Sequence, residues 1–374
     1  MEANRTEQGE SPVPIHKKPF LAALPPAPPP RLAADGPPPI RMAANENPLG
    51  PSPRAVAAVQ AAINEIHRYP DAGGAALRYA LATRNDLSPE HVMLGNGSDE
   101  LIMLICHAML GEGDEAVLAQ GSFISYARRI QAQGAIARQI PLREMTHDLP
   151  AMAAAITPRT RLMFVCNPNN PTGTTVGAAE MAAFLAHVPD DVLVVVDEAY
   201  IEFVTRPDFP DLLPLIRNGR DNLLLLRTFA KIHGLAGLRL GYAFGAPDLI
   251  AYLERARPVF NVNALAQIAG LAALDDTDHL ARSLAHANAS RTRLTSALRA
   301  LGLTVIPGET NFIAVAVHDD QAIAATLAQR GVLVTPLTGW GLPGWIRISF
   351  GTEEENDACI AALQAAVSAS QACS

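Results

Sequence analysis

Three runs of uninterrupted apolar residues, "LMFVC" (162–166), "VLVVV" (192–196) and "LLLL" (223–226), constrain this chain more than any other feature. Each is of strand length and none alternates with polar residues, so each needs apolar cover on both faces. A parallel sheet supplies that cover, because its crossover connections lay helices on both sides. Further apolar runs, "HVMLGNG", "EAVLAQ", "AIARQIPL" and "LRLGYAFG", alternate with helix-like stretches and extend the same pattern. "SPRAVAAVQAAINEI" reads as a helix with Ser52 as N-cap and Pro53 in its first turn, and "GGAALRYALATRN" as a second. Near residue 260 the character changes to a long amphipathic helix, "HLARSLAHANASRTRLTSALRAL", followed by short strand-like runs and two more helices. The expectation is an α/β chain: a large domain with a mainly parallel sheet between helices, then a smaller α+β domain. The divisions fall at a proline-rich arm over 1–39, a large domain over 40–262 and a small domain over 263–374. The first segment of the large domain is expected near the small one.

The arm cannot be helix interior or central strand, since "LPPAPPPRLAADGPPP" removes backbone donors at every turn; it is expected to be disordered or extended along another surface. It holds no apolar core of signal-peptide length, and no run in the chain is long enough to span a bilayer. A net charge of −8 gives no reason to expect nucleic acid or an anionic membrane as a partner. Four dispersed cysteines show neither disulfide density nor zinc spacing, and ten histidines form no metal motif, so a cytosolic chain with reduced thiols and no metal is expected.

In open parallel sheets ligands gather at the carboxyl ends of strands, and four polar clusters fall there: "NGSDE", "NPNNPTG", "DEAY" and "TFAK". Ser98 and Asp99 begin a helix whose free N–H groups suit a phosphate, though ordinary capping explains them as well. Thr228 and Arg239 flank Lys231; Arg239 suits phosphate oxygens or a surface ion pair. Asp197 closes a strand and is either a helix cap or a carboxylate paired with a cation such as a pyridinium. Tyr200 is a hydrogen-bond donor or a packed aromatic, and Asn170 sits in a proline-bracketed turn. Lys231, between two buried runs, is either solvated or an amine whose pKa is depressed by burial and nearby cations. Taken together, an amine, an acid for a ring nitrogen, donors for a ring oxygen and a phosphate cup form the protein side of a pyridoxal phosphate site.

The ordered set "NENPLGPSP", "RYPD", "GNGSDE", "NPNNPTG", "VDEAY", "RTFAKIHGLAGLRLGY", "TNFI" and "IRISFGT" resembles the histidinol-phosphate aminotransferase branch of the fold type I, class II aminotransferases, over about residues 40–368. The resemblance implies that Lys231 is the Schiff-base lysine and proton shuttle. It implies that Asp197 pairs with the pyridine nitrogen, Asn170 and Tyr200 hold the phenolic oxygen, and Phe123 stacks on the ring. Ser98, Asp99, Thr228 and Arg239 would bind the cofactor phosphate, with Tyr69 reaching in from the second subunit of a homodimer. Arg347 would grip the substrate carboxylate, and the partners would be a small amino donor and a 2-oxo acid such as 2-oxoglutarate.

Three positions depart from the family's pattern. Ala230 stands where many members have serine, Thr335 where many have an arginine associated with the phosphate of histidinol phosphate, and the arm lacks a tyrosine often found before "NENP". The expected amino donor is therefore histidinol phosphate or an aromatic or other apolar L-amino acid. Two rival readings are a decarboxylase or lyase of the same fold and a non-catalytic ligand sensor. A carboxylate fixed by Arg347 disfavours its loss as carbon dioxide, and the arm offers no basic helix for a DNA-binding module.

Overall fold

The computed structural model describes residues 15, 17–26 and 38–372. After a short strand, β1 (Ile40–Arg41), seven strands build the central sheet: β2 (Val92–Gly95), β3 (Glu115–Ala119), β4 (Ile136–Ile140), β5 (Thr160–Cys166), β6 (Leu193–Asp197), β7 (Leu223–Thr228) and β8 (Gly241–Gly245). They lie in the order β2-β8-β7-β6-β5-β3-β4. Along β5, β6 and β7 successive residues enter opposite cores. Met163, Val165, Val194, Val196, Leu223 and Leu225 face one, while Leu162, Phe164, Leu193, Val195, Leu224 and Leu226 face the other. This two-sided burial is what the uninterrupted apolar runs require.

Every neighbouring pair in the sheet is parallel except those of β8, which runs antiparallel to both β2 and β7. Between the end of β7 and the start of β8 the chain has no crossover helix, only a loop with a single 3-10 turn at Ala236–Leu238. A parallel return needs a crossover, so the chain doubles back instead. The loop carrying Lys231 and Arg239 is thereby held at the carboxyl end of β7. Chain order also reverses between β3 and β5: β4 lies outside β3, whereas β6 and β7 extend the other way. Such a reversal opens a crevice at the strand ends.

The second unit contains β9 (Val305–Ile306), β10 (Phe312–Ala316), β11 (Val332–Leu333), β12 (Thr335–Pro336) and β13 (Trp345–Ser349). Its antiparallel sheet has the order β12-β13-β10-β9, and β11 pairs in parallel with β1. Ile313, Val315, Ile346 and Ile348 pack against Leu294 and Leu298 of the helix Thr277–Ala300 and Leu363 of the helix Glu353–Ala372. Met42, just after β1, is buried in the same core. Residues 40–42 thus pack with the small unit.

The helix Pro53–Ala62 starts as expected, with Ser52 Oγ accepting from the Ala55 amide at 3.2 Å. It packs on the helix Ala264–Leu274, whose Ala266, Ala269 and Ala273 lie in the first unit's core. We therefore propose the domain division near Asp275 rather than between 262 and 263, because the chain leaves that core only after this helix. Pro19–Ala22 form one helical turn, and Arg128 donates to the Pro25 carbonyl at 3.1 Å. This stretch of the arm lies along the large unit; most of the rest of the arm, for which disorder was expected, falls outside the described residues. Among the described residues no helix is long and apolar enough to cross a membrane.

The two units touch where Gly173 meets Gly308. A Cβ on Gly308 would lie 2.4 Å from the Gly173 Cα, and Glu309 donates its amide to the Gly173 carbonyl at 2.8 Å. Neither backbone can yield without parting the units, so Gly308→Ala is expected to lower stability by about 1–3 kcal/mol. Urea unfolding followed by circular dichroism checks this.

Candidate active site

Ten of the eleven residues singled out from the sequence line one cavity of about 230 Å³: Ser98, Asp99, Phe123, Asn170, Asp197, Tyr200, Thr228, Lys231, Arg239 and Arg347. Asn170 follows β5, Asp197 ends β6, and Thr228 ends β7, so three adjacent parallel strands deliver their polar ends to one place. Arg347 comes from β13 of the small unit. Tyr69 is the exception. It is 82 % exposed and stacks on Phe260 with ring centroids 4.6 Å apart, outside this cavity.

Lys231 is half-buried, with Nζ 3.4 Å from the Ala44 carbonyl oxygen. Burial lowers its pKa to about 8; the Arg347 and Arg239 charges push the same way, and Glu46 and Asp197 oppose them. An amine so placed is appreciably neutral near physiological pH, which is what a nucleophile requires. Asp197 is buried, and burial raises its pKa, against the hydrogen bonds that favour its charged form. Those bonds come from the Tyr126 hydroxyl at 2.6 Å and the Ala199 amide at 3.1 Å.

The phosphate-cup candidates surround the first turn of the helix Ser98–Met109, where backbone N–H groups have no intrahelical acceptor. Gly97 precedes it with φ +83°, and a Cβ there would come within 2.5 Å of an Arg239 nitrogen. The positive φ favours glycine, and the guanidinium occupies the space its missing side chain leaves beside the helix end. The Asp99 carboxylate is engaged by Arg129 and Ser125, so a bound anion would meet its backbone amide rather than its charge. The Thr228 hydroxyl is likewise occupied: it accepts from the Ala230 amide at 3.0 Å and donates to the Leu240 carbonyl at 3.3 Å.

Arg347 is buried beside Trp340 and Phe312, with its guanidinium carbon 5.2 Å and 5.4 Å from their ring centroids. It donates to Asn170 Oδ1 at 2.6 Å, to the Ala43 carbonyl and to Thr335 Oγ1 at 3.1 Å. Thr335 in turn donates to the Ala43 carbonyl at 2.9 Å. Phe123 faces the cavity and meets Tyr126 edge-on at 5.5 Å.

Reasoning from sequence did not single out Asn45, Tyr126 or Trp340. Asn45 is 2 % exposed and donates from Nδ2 to the Tyr200 hydroxyl at 2.8 Å. Asn45 stands inside the motif "NENPLGPSP" and Tyr126 three residues after Phe123, but their partners lie far along the chain and nothing local marks the contact.

The depressed pKa of Lys231 has a direct consequence. In the protein free of small molecules, labelling of Lys231 by trinitrobenzenesulfonate is expected to rise with pH through a midpoint near 8. Peptide mapping reads this; Arg347→Met should move the midpoint upward by removing a neighbouring positive charge.

The family described as aminotransferase class I and II matches residues 37–363. A histidinol-phosphate aminotransferase from Moorella thermoacetica is 46% identical over 326 residues, covering 87% of this chain and 84% of that one. "Histidinol-phosphate aminotransferase 2" from Ralstonia nicotianae is 47% identical over 337 residues, 89% of this chain and 90% of that one. The crystal structure of histidinol-phosphate aminotransferase from Sinorhizobium meliloti, in complex with pyridoxal-5'-phosphate, superposes with a TM-score of 0.86 at 28% identity. It covers 96% of this chain and 99% of its own. With the strand-end cavity and its half-buried amine, these matches place the chain in the class I and II aminotransferases.

Proposed function

We propose that this aminotransferase binds pyridoxal 5'-phosphate in the 230 Å³ cavity and moves an amino group between histidinol phosphate and a 2-oxo acid such as 2-oxoglutarate. The observation that carries the reading is the convergence on one cavity of a half-buried amine, a buried carboxylate and a cationic helix-end cup. When bound, the cofactor's protonated ring delocalises the charge left on the substrate carbon once its proton departs. Everything else falls to the chain.

Lys231 Nζ would hold the cofactor at its aldehyde and, when free, would carry the proton to and from the substrate carbon. Asp197, whose charged form Tyr126 and the Ala199 amide favour against burial, would pair with the ring nitrogen and favour its protonated form. Asn170 and Tyr200 address the phenolic oxygen, and Phe123 covers a ring face. Arg239 and the amides of Ser98 and Asp99 take the phosphate. Thr228 contributes mainly by fixing the turn into Ala230.

Arg347 meets the anionic end of either substrate. Histidinol phosphate carries a phosphate group and no carboxylate, whereas the oxo acid carries a carboxylate, and one guanidinium can pair with each in turn. The absence of an arginine at 335 is compatible with that substrate, since Arg347 alone supplies the cation. The names and identities of the two relatives favour histidinol phosphate over the other amino donors. We further propose a cytoplasmic homodimer in which Tyr69, exposed on its own subunit, reaches the neighbouring cavity.

Lys231→Ala is expected to lower kcat by about 10²–10⁴-fold or more, the range for losing a positioned proton carrier. In single turnover, histidinol phosphate should bleach the visible band of the wild-type cofactor complex but not that of Lys231→Ala; full turnover by the variant sinks the reading. Arg347→Lys replaces a fork with a point charge. Hydrogen bonds to charged groups contribute about 1.5–3 kcal/mol, so KM for the oxo acid should rise roughly ten- to a hundred-fold with a smaller change in kcat. Steady-state kinetics against both substrates decides this.

A further inference from the structure

Three consecutive residues, Ala43, Ala44 and Asn45, each touch a different candidate side chain. The Ala43 carbonyl accepts from Arg347, the Ala44 carbonyl from Lys231 at 3.4 Å, and Asn45 Nδ2 donates to the Tyr200 hydroxyl at 2.8 Å. The segment is tied to the small unit, with the Ser349 amide donating to the Met42 carbonyl at 2.9 Å and Asn311 Nδ2 to the Asn45 carbonyl at 3.0 Å. Two of its three targets, Lys231 and Tyr200, are carried on loops that follow β7 and β6 of the large unit's sheet.

The contact at Asn45 has a direction. Asn45 donates its backbone amide to Ser349 Oγ at 2.9 Å, and Ser349 Oγ donates its proton to Asn45 Oδ1 at 2.7 Å. With the carbonyl end of the side chain facing that serine, the amide end faces Tyr200 and acts as a donor. The Tyr200 oxygen accepts it, which leaves the phenol's single proton for another acceptor. Among the described residues Tyr200 donates to none, and it lines the cavity.

We propose that Asn45 is a positioning residue that sets the polarity of the hydrogen bond at Tyr200, so that the phenol donates into the cavity toward the cofactor's phenolic oxygen. The relay runs from Ser349 through Asn45 to Tyr200. It rests on the reading above, in which Tyr200 addresses that oxygen. Asn45 also occupies the left-handed region at φ +55°, which asparagine and aspartate tolerate better than most residues. Asn45→Asp therefore keeps shape and backbone while turning the donor into an acceptor. The Tyr200 proton then turns to the new carboxylate, and an oxygen lone pair is left facing the cavity.

The test uses the cofactor-loaded protein and reads the pH midpoint of its visible absorbance change. A donor on the phenolic oxygen competes with the proton shared between that oxygen and the lysine nitrogen, so losing the donor raises the midpoint. Tyr200→Phe and Asn45→Asp should each raise it by about one pH unit, and the double variant by no more than Tyr200→Phe alone. A purely electrostatic effect of the added carboxylate would persist in the Tyr200→Phe background; that result overturns the relay. A shift in Tyr200→Phe with none in Asn45→Asp overturns the relay and leaves the role of Tyr200 standing. No shift in Tyr200→Phe overturns both. Ser349→Ala, which adds no charge and frees the amide to flip, should move the midpoint in the same direction by less, and an unmoved midpoint there also counts against the relay. It serves as well if Asn45→Asp fails to fold.

Discussion

The hydrogen bond from Arg347 to Asn170, 2.6 Å long, joins a strand of the small unit to a loop of the large one across the cavity. The small unit's apolar core also takes in Ala199, Tyr200, Phe203 and Ile232 from the loops that follow β6 and β7 of the large sheet, so apolar packing itself spans the seam. Three further contacts fix the relation more closely: this bond, the backbone approach of Gly173 to Gly308, and the segment at Ala43–Asn45. All three lie at or next to the site. Disturbing the seam disturbs the chemistry, since a small displacement of a positioned group costs far more rate than stability.

Much of the large unit was readable because its signals are local. An unbroken apolar run states that both faces of a strand are covered, and the polar residues after "VLVVV" and "LLLL" then fall at one sheet edge. What the runs do not state is direction. "LRLGYAFG" looks like its neighbours, yet β8 is antiparallel, and only the absence of a crossover helix before it carries that information. That reversal is what brings Lys231 and Arg239 to the site together.

The contacts that tune the site were less legible. Asn45 reaches a partner 155 positions away and Tyr126 one 71 positions away, and no periodicity encodes such pairs. Thr335 shows the same limit from the other side. As a letter it marks a missing arginine; in the fold its hydroxyl holds both Arg347 and the carbonyl that Arg347 also uses. The substitution removes a charge and adds an anchor for the remaining one, and only the geometry reveals the second effect.

Charge in the cavity runs against that of the whole chain. The protein carries a net charge of −8, but Lys231, Arg239 and Arg347 face the cavity against one carboxylate free of any ion pair among the described residues, Asp197. Asp99 is neutralised by Arg129 and adds little. A low-dielectric cleft lined by one sign of charge focuses its field, so the site attracts anions while the remaining surface repels them. The same field adds to burial in lowering the pKa of the lysine. Positive neighbours that draw in a phosphate also push protons off Nζ, so the cations proposed to recruit the cofactor and substrate prepare the amine that meets them.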